Sequence, residues 1–562
     1  MRRRAPRLVE AAQRAGREGR RDEALRLARL ALERHPNDPQ CLEWRARRLA
    51  AAGRLSDSRR ALDACVAEGG GYSALLLRSG VRLLRGEGAG GWDDLMRAYV
   101  LEPSFMFAYA EARPPRRVDA DDALFTDDVI DSRRLLARLD ALAALRPAPR
   151  WVLVWRGLVR RRARDYAGCV ADLRAARARG ERSPMALTWL GEARLQTGDR
   201  GGIADMERAA REGGRAWNYA WLARARMNFG RDRAALADLE RAVRLEPRNG
   251  WYLAWRAEAK RLLGVRRGLL EDYGRALALD PGYGYQAWVR TWRGLAFMGL
   301  GRPARALRDF DAALAAKPGY PLAASGRARA LKALARPREW IQALDAAARL
   351  DPKIIQALSA RPPEESAADA ALLSRLGRGA PPRARAWLGF FTLHGGEPQA
   401  ALGALERAAA REPGWAWPRA WLGLALERLG RPAQAEREYA RALKVEPKAA
   451  LARAWRARTL LSRGRLDAAL RELERSARDD DRYASVHADL GRLRLLAGRP
   501  REARTAFERA VSMDAGDPSL WVDFSEALRR CGDARAGAEA LVRARSLDED
   551  AARARLAAWS RA

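Results

Sequence analysis

Two consecutive stretches, "APPRARAWLGFFTLHGGEPQAALGALERAAAREP" (380 to 413) and "GWAWPRAWLGLALERLGRPAQAEREYARALKVEP" (414 to 447), can be laid one on the other. Gly389 falls on Gly423, Gly396 on Gly430, Ala401 on Ala435 and Pro413 on Pro447, a period of 34 residues. Related units close on Pro247, Pro281, Pro318 and Pro352. A period of this length means that each unit buries its apolar face only by stacking on its neighbours, which excludes one central core and points to a solenoid. Ala, Leu, Arg and Glu dominate and strand formers are scarce, so the units are helical.

About fourteen units are recognisable, starting near residues 5, 39, 72, 150, 184, 216, 250, 287, 321, 382, 416, 450, 484 and 518. The frame fails twice, and the domain organisation follows from those failures. It comprises repeats over 1–103, an irregular break over 104–149, a central array over 150–354, a second break over 355–381, a C-terminal array over 382–551, and a capping helix over 552–562. Both breaks contain "ARPP", at 112–115 and 360–363, where paired prolines forbid helix continuation. Both therefore read as joints of one layout, the first carrying the acidic stretch "DADDALFTDDVID" (119–131).

The pattern resembles the tetratricopeptide repeat, a pair of antiparallel helices A and B with small residues at positions 8, 20 and 27, Gly at 15 and Pro at 32. Gly423, Ala435, Ala442, Gly430 and Pro447 hold those places, and Tyr439, Tyr273, Phe310, Phe507 or Leu239 holds the bulky position 24. The resemblance implies an all-α, right-handed superhelical solenoid of the bacterial, Trp-rich type. Small side chains let A and B approach, and Gly ends helix A in a left-handed turn.

The family's Trp stands four residues before the Gly of position 8, whereas here it stands two before. Two residues rotate a helix by about 200°, so these rings leave the A–B interface. Position 6 is Trp44, Trp155, Trp189, Trp221, Trp255, Trp292, Trp387, Trp421 or Trp455, and position 2 is Trp151, Trp217, Trp251, Trp288 or Trp417. Residues four apart share a face, so the rings form a stripe along the A helices. The resemblance implies that A helices line the concave, ligand-binding surface. Two arrangements stay open: rings lining a groove, or rings packed sideways on the next A helix as a stiff seam. In the unit starting at 321, Leu322 and Gly326 replace both rings and Trp340 takes a position that is normally small, so repacking is expected there.

Arg162, Arg224, Arg329, Arg428, Arg458 and Arg492 stand at groove positions near the rings. Aromatics interleaved with guanidinium groups suit an acidic or proline-containing peptide, and the expected function is a protein-binding scaffold. The alternative is a single-stranded nucleic acid or a carbohydrate in the same groove. The Lys/Asn clamp with which some family members hold a terminal carboxylate is absent, since Trp replaces the Asn.

The net charge of +35 would ordinarily indicate nucleic acid, but only six of the 106 basic residues are Lys, a skew that a GC-rich genome imposes on solvated helix faces. Cys41, Cys65, Cys169 and Cys531 lie far apart without a paired spacing, so neither a disulfide framework nor a metal site is expected. No apolar run suits a membrane span or an export signal, and the chain reads as cytoplasmic. His35, His394 and His487 fall in different repeats, and His394 reads as a surface side chain. No catalytic motif or cofactor loop appears, so no enzyme, cofactor or metal is expected.

Overall fold

The computed structural model describes residues 7–17, 21–101, 132–144, 148–279, 283–377 and 380–559. Among the described residues every regular element is a helix. Two compact units are formed, Met1–Pro318 and Gly319–Ala562.

In the first unit, helices pair along the chain as the period requires: Pro39–Ala51 with Leu55–Ala67, Tyr72–Leu84 with Gly88–Leu101, Arg150–Arg162 with Tyr166–Ala178, and Pro184–Gln196 with Gly202–Gly213. Ala216–Asn228 with Asp232–Leu245, Gly250–Leu262 with Leu269–Leu279, and Tyr283–Gly299 with Pro303–Ala316 continue the series. Of the first interruption, Ser132–Ala143 is a helix packed on Arg150–Arg162, while the ARPP motif at 112–115 and the acidic stretch 119–131 lie outside the described residues.

The second unit opens with Pro321–Ala333 and Pro337–Leu350. The second interruption holds two helices, Lys353–Ser359 and Pro363–Ser374, the latter packed on Pro382–His394. Asp369, 1% exposed, anchors it by accepting from Arg361 Nη2 at 2.7 Å and from Lys332 of the preceding repeat. Five further pairs follow, from Pro382–His394 with Pro398–Arg411 to Pro518–Arg530 with Ala534–Leu547, and Glu549–Trp559 covers the last of them.

The residue pattern explains the pairing atom by atom. A Cβ on Gly423 would stand 2.7 Å from the Tyr439 ring, one on Gly491 2.7 Å from Phe507, and one on Gly294 2.7 Å from Phe310. Position 8 must be small because position 24 is a fully buried ring that lies on it. Each such ring contributes about 2–3 kcal/mol of burial. Between the helices, Gly430 turns the chain at φ 71°, a left-handed conformation that glycine adopts without strain.

Trp340, the large side chain that stands at a normally small position, is taken into the core. It is buried against Phe391, centroid to centroid at 5.7 Å, with Lys332 over its face at 5.7 Å.

Candidate functional site

Because the position-6 rings turn away from their own B helix, they meet the A helix of the next repeat. Trp189 and Trp221 stand 4.9 Å apart, as do Trp255 and Trp292, and Trp387 and Trp421. Position-2 rings knit into the same ladder, Trp217 at 6.1 Å from Trp189 and Trp417 at 6.2 Å from Trp455. Trp155, Trp189, Trp217, Trp221, Trp387, Trp421 and Trp455 are buried, whereas Trp251, Trp255, Trp288, Trp292 and Trp417 are half-buried. The stripe is thus part seam and part accessible surface.

The accessible part is concentrated in the first unit. Trp251 lies 5.5 Å from Trp288, Trp255 lies 5.1 Å from Trp288, and Trp288 lies 3.7 Å from Trp292. Arg224 ties this cluster to the buried rings, its guanidinium 4.8 Å from the Trp221 centroid and 6.0 Å from that of Trp255. Such cation–π contacts hold a guanidinium against a ring face. Beside Arg224 opens a cavity of about 170 Å³ lined by Glu192, Leu195, Gln196, Met206, Trp221, Ala225, Asn228 and Phe229.

The six arginines are dispersed. Arg162 is 7% exposed within the first unit, and Arg329 is exposed on Pro321–Ala333. Arg428 donates to the Leu393 carbonyl at 2.7 Å, a bond between repeats. Arg458 donates to Asp489 at 2.7 Å, and Arg492 to Asp523 at 2.7 Å and Asp489 at 2.8 Å. Asp489 and Asp523 occupy position 6 in the last two repeats, so an ionic ladder takes over where the rings end.

Sequence reasoning missed two things. The neighbour of Arg162, Arg161, is the guanidinium that stacks on Trp189 at 4.4 Å and Trp221 at 5.4 Å while holding Glu192 with two bonds of 2.6 and 3.0 Å. A clamp inside single repeats was also missed, in which the Arg of position 7 grips the Asp of position 23 with two hydrogen bonds: Arg78–Asp94, Arg156–Asp172, Arg256–Asp272 and Arg293–Asp309. Its signal, an Arg followed by Asp 16 residues later, recurs in the sequence.

His394 corrects an expectation. It is 7% exposed rather than a surface side chain, with Phe390 at 4.5 Å between centroids and Arg428 Nη2 at 3.4 Å from Nδ1. Burial first, then the nearby Arg428 and Arg361 charges, push its pKa down to about 4. Burial likewise pushes the Cys41, Cys65 and Cys169 thiols up to about 12, which keeps them protonated and unreactive. Among the described residues no group of three His, Cys, Asp or Glu side chains could hold a metal ion, and no helix is long and apolar enough to cross a membrane.

A family model described as tetratricopeptide repeat matches residues 422–485. No curated protein matches the chain. Among solved structures, one titled crystal structure of MamA is 19% identical, covering 30% of this chain and 97% of that one at a TM-score of 0.27. A MamA fragment from Desulfovibrio magneticus RS-1 is 22% identical, covering 30% and 96%, also at 0.27. The pilF protein of Pseudomonas aeruginosa is 21% identical, covering 30% and 76% at 0.28. At these TM-scores the likenesses add no weight to the fold, which rests on the paired helices and their repeated register.

Proposed function

Because the chain is a tetratricopeptide-repeat protein, we propose that it is a non-enzymatic, cytoplasmic scaffold that holds a protein partner on the aromatic surface of its first unit. What supports this reading is the half-buried cluster Trp251, Trp255, Trp288 and Trp292, with centroids 3.7 to 5.5 Å apart. Contiguous aromatic surface of this kind is costly to leave in water and is characteristic of interaction sites. The buried members of the stripe would serve this surface by holding successive A helices in fixed register. Base stacking on the whole stripe is disfavoured, because it needs open ring faces and Trp155, Trp189, Trp217, Trp221, Trp387 and Trp421 are covered.

The test is affinity capture with the full chain and with a Trp251→Ala, Trp288→Ala, Trp292→Ala variant, helicity being checked by circular dichroism. The expected result is a specific partner protein held by the wild type and lost by the variant at unchanged helicity. Equal capture by both would overturn the reading.

A further inference from the structure

One repeat of the first unit keeps the arginine of the clamp but not its carboxylate. Arg45 stands where Arg78, Arg156, Arg256 and Arg293 grip an Asp 16 residues later, yet the residue 16 beyond Arg45 is Ala61. Arg45 is exposed, and Arg48, one turn along the same face of Pro39–Ala51, is half-buried. Among the described residues neither has an acidic partner. Both line a cavity of about 650 Å³, which they share with Arg29 of helix Arg21–Arg34 and Arg54 of the turn after Pro39–Ala51. Arg54 donates to Asp57 at 2.7 Å and Arg29 has a partner within the protein, so these two add positive field while Arg45 and Arg48 keep their donors. Leu32, Leu49 and Pro36 make one side of the cavity apolar, and Glu33 is the one acid of its lining. Three segments thus converge with their guanidinium groups on a single opening, unlike the arginines that lie in ion pairs along the repeats.

We propose that this cavity binds a phosphate monoester, whose oxygens accept from Arg45 and Arg48 while its organic stem lies on Leu32, Leu49 and Pro36. The site is separate from the aromatic surface and does not depend on it. A monoester carries about 1.5 to 2 negative charges at neutral pH and three strong acceptor oxygens, enough to engage two guanidinium forks at once. A lone carboxylate has one charge and is satisfied by one fork. Glu33 opposes a long polyanion, since a chain of phosphates passing through the cavity would be set against its carboxylate. The same chemistry is offered by a phosphorylated side chain of a partner protein and by a small free ester, and the measurement below separates the two.

The experiment is titration calorimetry of the full chain with an otherwise neutral peptide bearing one phosphotyrosine, with its tyrosine and glutamate counterparts, and with phenyl phosphate. At least one phosphate ester is expected to bind about tenfold or more tighter than the unphosphorylated peptides. Arg45→Gln with Arg48→Gln is expected to weaken it about a hundredfold, a charge-assisted bond being lost at each position. Ala52→Glu, at an exposed lining position, should weaken it likewise without touching an arginine. Arg60→Gln, outside the lining with a side chain 80% exposed, is the control for general charge and should leave binding unchanged. Circular dichroism checks that each variant keeps its helicity. Phenyl phosphate binding as tightly as the phosphopeptide supports the proposal and assigns the site to a free ester, whereas a phosphopeptide about tenfold or more tighter supports it and assigns the site to a partner protein. Equal binding of the phosphorylated and glutamate peptides, binding undiminished in both cavity variants, an equal loss in Arg60→Gln, or no binding of either ester overturns it.

Discussion

Asp523, fully buried in the last repeat, accepts two hydrogen bonds from Arg555 of the terminal helix, from Nε at 2.7 Å and from Nη2 at 2.9 Å. Trp559 Nε1 donates to the same carboxylate at 2.7 Å, and Arg492 of the preceding repeat donates at 2.7 Å. One side chain thus fastens both the neighbouring repeat and the end cap.

Replacing Asp523 with Ala should release that cap. Removing one partner from a buried ionic cluster costs about 3–5 kcal/mol, since it strands the remaining charges. Hydrogen exchange should show lost protection across Glu549–Trp559 with Ala416–Arg428 unchanged, and a cap that stays protected would refute the assignment.

The clamp inside each repeat makes a sharper comparison. Asp309, 4% exposed, takes Arg293 Nε at 2.7 Å and Nη2 at 2.6 Å. Asp309→Ala is expected to cost about 3–5 kcal/mol in urea unfolding, whereas Arg293→Met with Asp309→Leu should cost far less, because the clamp's guanidinium goes with its carboxylate and only the longer Arg290–Asp309 contact of 3.8 Å is lost besides. Equal losses would mean that the clamp matters for its packing alone.

Gly423→Ala should be destabilising by about 1–3 kcal/mol, because its new Cβ would stand 2.7 Å from a ring that has no free space to retreat into. Gly414→Ala, with nothing within 4 Å, is the matched control and should leave the thermal midpoint nearly unchanged.

Acid should weaken the second unit through His394. Its folded pKa, about 4, lies below the ordinary 6.5, so the neutral ring stabilises the fold above pH 6.5 and that contribution is lost as pH falls towards 4. A gap of this size corresponds to about 3 kcal/mol, read as a fall in urea midpoint between neutral pH and pH 4. Protonation would set a cation against Arg428 and Arg361. His394→Phe should flatten that part of the profile, and an unaltered profile would assign the acid sensitivity to other groups.

The helical pairs were legible because 34-residue spacing, small position 8 and bulky position 24 are properties of a single repeat. The direction of the tryptophans was legible for the same reason: a rotation of about 200° takes Trp421 off its own B helix whatever surrounds it. What covers Trp421 but leaves Trp288 half-open was not legible, since that depends on the neighbouring helix and not on the repeat frame. Arg161 stands one residue, or about 100° of helix, from the position that the repeat frame marks, and only the packed structure shows it on the Trp189 ring. His394 looked exposed by its place in the frame, yet the neighbourhood of Phe390 and Arg428 closes over it.

The change from rings to carboxylates along position 6 also bears on how the second unit would respond to tension. Trp387, Trp421 and Trp455 couple their repeats by short-range contact that is nearly indifferent to dissolved ions, whereas Arg458–Asp489 and Arg492–Asp523 couple theirs by charge. Pulled from its C-terminus, the chain should peel repeat by repeat from Glu549–Trp559 back towards Ala450–Ser462 and then resist more strongly, so that the first part of the extension behaves as a spring softened by added electrolyte.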